Sequence, residues 1–282
     1  MYNAYPLAIR TIHRTLATIK SMNLKPNKYF GIIKESLKTE SFNISVTNHS
    51  TNSEIALHSH NKPYLCLLVS GTYKEKSNTT EIITGGEVMY RTSNYEHSNS
   101  FGDKGGICLN IEINDYEQFG TLNELQLPTK VSKQNGILQL YKLLYGLKRG
   151  LPNDILNIYC YESMIAVMDI FNGNGDIIWV KKVKELINDN PFETISLKKM
   201  SIEFSLHPNY IVRKFKEITG YKISEYLTKS RLEYSIRQLI KNEENITTIA
   251  LDSGFYDQSH FNRNFKKYLE ITPTHFRKII AG

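Results

Sequence analysis

The chain has 282 residues, 40% of them hydrophobic and 22% charged, with a net charge of +7. That length suits two domains, and the composition is that of a folded protein and not of a disordered one. No apolar run is long enough to cross a membrane as a helix, so no membrane partner is expected. Lys and Arg outnumber Asp and Glu by 18 to 13 from Asp176 onward but only by 17 to 15 before it. A basic C-terminal part suits a polyanionic partner.

Residues 1–27 read as a basic lead-in segment. Arg10, Arg14, Lys20 and Lys25 lie among its apolar residues with no acid beside them. Charges recur too often for the apolar core of a signal peptide. A membrane-surface helix is the competing reading of this stretch.

Residues 28–120 come in short alternating runs such as FNISVTN, EIALHSH, YLCLLVSGTYKE and GICLNIEIN, separated by Gly, Asn and Ser. Turns every 8 to 12 residues point to an all-β barrel or sandwich. Residues 121–175 change character. Apolar positions recur at helical spacing over about 131–148 and 154–171, as with Ile137, Leu140, Leu144 and Leu147. Two antiparallel helices are expected, the second starting near Pro152 and Asn153. The NGNG run from Asn172 to Gly175 reads as a linker. Cys66, Cys108 and Cys160 are widely spaced along the chain and odd in number. They read as buried thiols of a reducing cytoplasm, not as a disulfide or zinc framework.

Residues 176–282 read as seven short helices, near 177–189, 196–203, 208–219, 223–241, 246–253, 258–268 and 273–280. Within them a degenerate repeat of about 50 residues aligns Ile211 with Phe261, Arg213 with Arg263, Phe215 with Phe265, and Lys216 with Lys266. Each copy reads helix, tight turn, helix. Ile211, Phe215 and Ile218 make the inner stripe of one second helix. Phe261, Phe265 and Tyr268 make that of the other, which Asp257 caps after a turn at Gly254. A second helix packed this way keeps its outer face free, which is the geometry of a helix-turn-helix reader of DNA.

Those outer faces carry Asn209, Val212, Arg213 and Lys216 in the first copy, and Gln258, Ser259, Asn262, Arg263 and Lys266 in the second. Arg pairs with guanine, and Asn or Gln with adenine, in the major groove of double-stranded DNA. For one helix a merely solvated face is an equal reading; two matched helices favour DNA. A connecting helix of 19 residues spans roughly 28 Å, against a major-groove repeat of about 34 Å.

The residues Ile249, Ala250, Gly254, Phe255, Asp257, Ser259, Phe261, Arg263, Phe265 and Lys266, with Thr272, Pro273, Phe276 and Arg277, resemble the second half of the AraC/XylS-type regulator domain. The first unit, closing at Arg231 and Leu232, is similar. The resemblance covers about 178–281. It implies a seven-helix, two-unit DNA-binding domain in a transcription regulator, more often an activator. Three positions depart from the pattern: Ser201 stands in place of Ala, His207 in place of a capping Ser, and Glu270 in place of Gly. Ser201 is expected to bond backward to a carbonyl, and Glu270 to take a left-handed conformation.

In the N-terminal half His58, His60, Tyr64, Gly71, Gly85, Gly86 and His97 resemble the cupin-type sensory domain common in such regulators. The resemblance implies a small-molecule effector. The candidate pocket residues are His58, His60, Tyr64, Tyr73, Tyr90, Tyr95 and His97; a plain dimerisation scaffold is the competing reading. Metal-binding cupins place a Glu where this chain has Tyr64 and Leu65, so no metal and no other cofactor is expected. The fold class is α+β, with an N-terminal all-β cupin-like barrel and helical pair before an all-α domain of two helix-turn-helix units. The resemblance also implies a homodimer through the helical pair, and RNA polymerase as a partner of an activator. The alternative is a cupin-type enzyme fused to a DNA-targeting domain.

Overall fold

A computed structural model describes residues 22–25, 28–114, 129–131, 136–171, 178–241 and 243–280. The expected lead-in up to residue 21 and the expected NGNG linker lie outside them.

The N-terminal half is a nine-stranded sheet among the described residues. Its strands are β1 (Met22–Leu24), β2 (Ile32–Lys38), β3 (Phe42–His49), β4 (Glu54–His60), β5 (Tyr64–Lys76), β6 (Thr80–Thr84), β7 (Val88–Arg91), β8 (His97–Ile113) and β9 (Thr129–Val131). The long β8 organises it. One edge pairs with β5, and the other pairs first with β4 and then with β3. Register shifts after Leu68 and Gly71 bend β5 along β8. Gly71 has φ 89°, and a Cβ there would lie 2.1 Å from the Gly105 carbonyl oxygen, so only glycine fits this bend.

The pleat sorts the side chains into two environments. Ile44, Val46, Leu65, Leu67, Leu109 and Ile111 belong to the main core. Tyr64, Cys66, Leu68, Met89 and Cys108 alternate with them and form a separate cluster on the opposite face. Cys66 and Cys108, 42 positions apart in sequence, therefore become hydrogen-bonded neighbours, and both are free thiols.

The helical pair is α1 (Ile137–Lys148) and α2 (Asn153–Phe171). The expected first helix began near 131, but Thr129–Val131 instead adds a strand against β7. Gly136, at φ 85°, breaks the helical path, and α1 starts after it. The sheet also takes in Met22–Leu24, which pairs with β4. It thus reaches past both ends of the expected 28–120 segment. Leu140, Tyr141, Leu143 and Leu144 of α1 are all buried. α1 is thus interior, whereas α2 leaves Ile158 and Ile165 exposed. No described helix is long and apolar enough to cross a membrane.

The seven C-terminal helices follow their expected order: α3 (Ile178–Asp189), α4 (Leu197–Phe204), α5 (Pro208–Thr219), α6 (Ile223–Lys241), α7 (Ile246–Asp252), α8 (Gln258–Leu269) and α9 (Pro273–Ile280). Side-chain caps set several of the starts. Ser196 accepts from the Lys199 amide, Asn245 from the Thr248 amide and Asp257 from the His260 amide. The first unit has its own core, built on Trp179, Val183, Met200, Ile211 and Phe215. The second unit does not: Phe261, Phe265 and Phe276 are continuous with Tyr141 and Leu144 and with the sheet.

Candidate functional site

Two helix-turn-helix units shape the C-terminal surface. In the first, Ser205 turns the chain at φ 52°. The Ser201 hydroxyl donates forward to the Leu206 carbonyl at 2.7 Å. The backward bond expected for Ser201 is therefore replaced by one that ties the turn. His207 caps α5 through Nδ1, which accepts from the Asn209 amide at 3.2 Å. In the second unit Gly254, at φ 80°, makes the turn, and Asp257 accepts from the His260 amide at 2.6 Å.

On α5, Ile211 and Phe215 are buried, while Asn209, Val212, Arg213 and Lys216 are exposed. On α8, Phe261 and Phe265 are buried, Ser259, Arg263 and Lys266 are exposed, and Gln258 and Asn262 are half-buried. Among the described residues Arg213, Lys216, Arg263 and Lys266 make no salt bridge, although the Arg213 charge acts on the Glu217 carboxylate one turn along α5. Gln258 is tied back to α7 by accepting from the Thr247 hydroxyl at 2.6 Å. The Asn262 side-chain oxygen is buried with no partner among the described residues. Tyr256 was not singled out from the sequence, yet it is 87% exposed beside the α8 cap. Its place outside the i, i+4 stripe of Phe261 and Phe265 was the available signal.

The second candidate region is a cavity of about 50 Å³ on the sheet face opposite the main core. β4 presents His58 and His60 to it, and β8 presents His97 in register with His58. One ring nitrogen from each of the three lies within 4.8 Å of the others. The Nδ1 of His58 is 2.9 Å from the Ala56 carbonyl oxygen, and that of His97 is 3.1 Å from the Tyr95 carbonyl oxygen. A carbonyl can only accept, so both Nδ1 atoms carry the proton and both Nε2 atoms keep a lone pair. Tyr64 Oη donates to His97 Nε2 at 3.2 Å. Burial lowers the pKa of all three histidines, to about 3 for His60 and about 2 for His97; His58 adds to the effect at those two and Arg91 at His97, while backbone hydrogen bonds oppose it at His58 and His97.

Arg91 and Glu75 complete the lining. The Arg91 guanidinium is buried and meets Glu75 Oε2 at 2.5 Å, and Asn99 donates to the same oxygen at 3.3 Å. Burial works against the Arg91 charge, but Glu75, Tyr73 and Tyr64 together outweigh it and its pKa is raised. Of the seven expected pocket residues, the fold gathers His58, His60, Tyr64, Tyr73 and His97 around the cavity. Tyr95 is not among the lining residues but stacks on His97, with ring centroids 5.4 Å apart. Tyr90 is a correction. Alternation along β7 points Arg91 into the cavity and sends Tyr90 into the main core. Glu75, Arg91 and Tyr29 also line the cavity and were missed. Arg91 ends the apolar run VMYR, which was the signal for it, whereas Glu75 lies between Lys74 and Lys76 and gave none.

A helix-turn-helix domain family model matches residues 200–279. The transcriptional regulatory protein YesN of Bacillus subtilis is 32% identical over 112 residues, which is 39% of this chain and 30% of YesN. The chain thus spans under a third of that relative's length. The transcriptional activator RhaS of Mannheimia succiniciproducens is 29% identical over 211 residues, 68% of this chain and 77% of RhaS. The chain is thus similar to DNA-binding transcription regulators, in line with the AraC/XylS-type resemblance of its C-terminal motifs. Its helix-turn-helix half is a DNA-binding domain. Among solved structures ToxT of Vibrio cholerae is 18% identical, with a TM-score of 0.38, covering 86% of this chain and 100% of ToxT. The chain joins a helix-turn-helix domain to a sheet with a small, histidine-lined cavity.

Proposed function

We propose that this regulator is an effector-responsive activator that places α5 and α8 in successive major grooves of double-stranded DNA. The observation that carries this reading is the pair of matched exposed faces, Asn209, Val212, Arg213 and Lys216 on α5 and Gln258, Ser259, Asn262, Arg263 and Lys266 on α8. Four exposed cations without salt bridges among the described residues suit phosphates and base edges on these faces. The 19-residue α6 sets the units apart by roughly one groove repeat. The sheet half serves as the sensory domain, with His58, His60, Tyr64, Tyr73 and His97 lining the effector cavity and Tyr95 beside it.

The working division is a sensory segment at 28–120, a helical dimerisation and linker region at 121–175, and a DNA-binding domain at 176–282. β1 and β9 are added to the sensory sheet. Homodimerisation is assigned to α2, whose exposed Ile158 and Ile165 lie one seven-residue period apart, because α1 is interior. Two linked DNA modules gain avidity. RNA polymerase is the remaining partner of an activator, and the cytoplasm is where all of these meet. A regulator and not an enzyme is favoured by the kind of relatives the chain matches.

In vitro selection of bound DNA tests the reading. The expected product is a bipartite site whose halves lie about one helical turn apart. Recovery of a single short half-site, unchanged when α5 is altered, would refute the two-groove arrangement.

A further inference from the structure

We propose that His58, His60 and His97 form a three-imidazole site for a divalent transition-metal ion. The inference deepens the effector reading and rests on it for its regulatory meaning, though not for the binding itself.

Four observations carry it. First, two strands bring three buried histidines together so that a nitrogen of each lies within 4.8 Å of the others, close enough for one ion to reach all three. Second, two of the rings are already oriented. His58 and His97 spend their Nδ1 protons on the Ala56 and Tyr95 carbonyls, which leaves each Nε2 as a lone-pair donor. A metal-bound histidine is held in this way by its second nitrogen. Third, His60 is only 4% exposed, and its Nδ1 has no hydrogen-bond partner among the described residues. A histidine kept for packing would have this nitrogen satisfied, because an unpaired buried polar atom is costly. Tyr29 Oη and Arg91 Nε, on residues lining the same cavity, are also buried without partners.

The fourth observation is size. A cavity of about 50 Å³ has room for an ion and a few waters, each needing roughly 10–15 Å³. Sites for drug-sized molecules run to about 300–1,000 Å³, so a sugar or an aromatic acid does not fit this one.

The donor set defines the class of ion. Imidazole nitrogens suit zinc, nickel, copper or iron, while magnesium and calcium take oxygen ligands. The nearby carboxylate, Glu75, is held by Arg91 and Asn99 and stays outside the set. Three protein ligands leave a further position for water or a small exogenous ligand. The site is roofed by Tyr29, with its ring centroid 5.2 Å from that of His60, and by Phe30, 4.9 Å from His58. Occupancy requires Tyr64 to give up its hydrogen bond to His97 Nε2, so ion and phenol compete for one lone pair.

The test uses the full chain stripped with a chelator and titrated with Co(II), then with Zn(II) as competitor. One equivalent of Co(II) with visible d–d absorption is expected, displaced by Zn(II). His60→Gln and His97→Gln should each weaken binding by more than about 100-fold, beyond the usual effect of losing only a supporting group. His275→Gln, at an exposed histidine, should leave the stoichiometry at one. Melting curves establish that each variant is folded. Should a variant unfold, ring-nitrogen NMR of the wild type decides instead, with the Nε2 signals of His58 and His97 moving on Zn(II) addition. Absence of stoichiometric Co(II) binding, unmoved ring signals, or undiminished affinity in folded His60→Gln would each overturn the proposal. DNA binding is measured separately on the stripped and on the Zn(II)-loaded protein. Its absence in both would count against the regulator reading and leave the metal result standing, whereas DNA binding without Co(II) binding would overturn the metal site alone.

Discussion

Tyr141 and Phe276 pack edge to face, with ring centroids 5.0 Å apart and planes at 69°, where α1 meets the second helix-turn-helix unit. The same Tyr141 hydroxyl donates to the Val69 carbonyl of β5 at 3.1 Å. One side chain thus fastens the sheet to the second helix-turn-helix unit. Its removal should cost about 3–5 kcal/mol by cavity formation, and Tyr141→Phe only about 1 kcal/mol for the hydrogen bond. Calorimetry should show the single transition of the second unit and sheet splitting in two for Tyr141→Ala but not for Tyr141→Phe. An unsplit transition in Tyr141→Ala would mean the junction is held by other contacts.

The unequal cores of the two units lead to a second expectation. A fragment starting near residue 176 keeps the first unit's core intact but strips Tyr141 and Leu144 from the second. It should still fold and bind DNA, with affinity falling steeply as salt rises. Hydrogen exchange should be faster in α8 and α9 of the fragment than in the full chain, while α3 to α5 are unchanged. Equal protection in both would show that the sheet half contributes nothing to the second unit.

The helical half was legible in the sequence because its signals are local. Caps, turns and i, i+4 stripes lie within one unit, so Asp257, Gly254, Phe261 and Phe265 could be placed from spacing alone. The cavity was legible only in part. His58, His60 and Tyr64 sit on consecutive strands, but whether Tyr90 or Arg91 faces inward is a question of strand phase, which a single run of buried residues does not reveal. The β9 strand was hidden for another reason. Three residues paired to a distant strand leave no periodicity of their own, and the helical pattern beyond Gly136 absorbed them. The convergence of three histidines depends on the β4–β8 register, a long-range relation between His58 and His97.

Glu233 on α6 is buried, and burial raises its pKa to about 8 despite the opposing Lys229 and Arg237. Arg237 in turn faces Tyr141 and Glu87. A carboxyl whose folded pKa is raised favours the folded state while it is protonated. Its contribution is full below the unfolded value near 4.3 and is lost as pH rises toward 8, at up to about 1.4 kcal/mol per pH unit. Glu233→Gln should therefore match the wild type near pH 5, melt higher at pH 8, and show a flatter slope between. A wild-type melting temperature that rises from pH 5 to 8 with the same slope in the variant would remove Glu233 as the cause.

Glu270 closes α8 in a left-handed conformation, φ 62° and ψ 12°, where a side chain costs about 1 kcal/mol relative to glycine. Its compensating contacts are long: Tyr159 Oη at 3.4 Å and Lys142 Nζ at 4.0 Å. Exposed pairs of this kind contribute well under about 1 kcal/mol. Glu270→Gly should raise the melting temperature by about 1–2 °C, whereas Glu270→Ala, which loses the contacts and keeps the strain, should lower it. A fall in both variants would show the contacts outweigh the backbone.

Arg263 and Lys266 lie on the exposed side of α8 on either side of the buried Phe265, and they should do different work on DNA. Arg263 precedes Phe265 by two residues, nearer the capped N-terminus that a reading helix directs at base edges. A planar guanidinium there can pair with both major-groove acceptors of a guanine. Lys266 follows Phe265 in the last turn of the helix, where a flexible point charge suits the phosphate backbone better. Arg263→Ala should cost about 1–3 kcal/mol on the preferred site and relax selectivity at one or two positions. Lys266→Ala should weaken every sequence alike and reduce the salt slope by about one. By the internal repeat the same division is expected of Arg213 and Lys216 on α5. His207 is the less favourable cap, its single bond reaching 3.2 Å against 2.6 Å for Asp257, so α5 should contribute the smaller share of selectivity. Binding of each variant to a library of all single-base changes in the selected site measures both effects. Uniform loss across the library for Arg263→Ala would reassign that side chain to the phosphates.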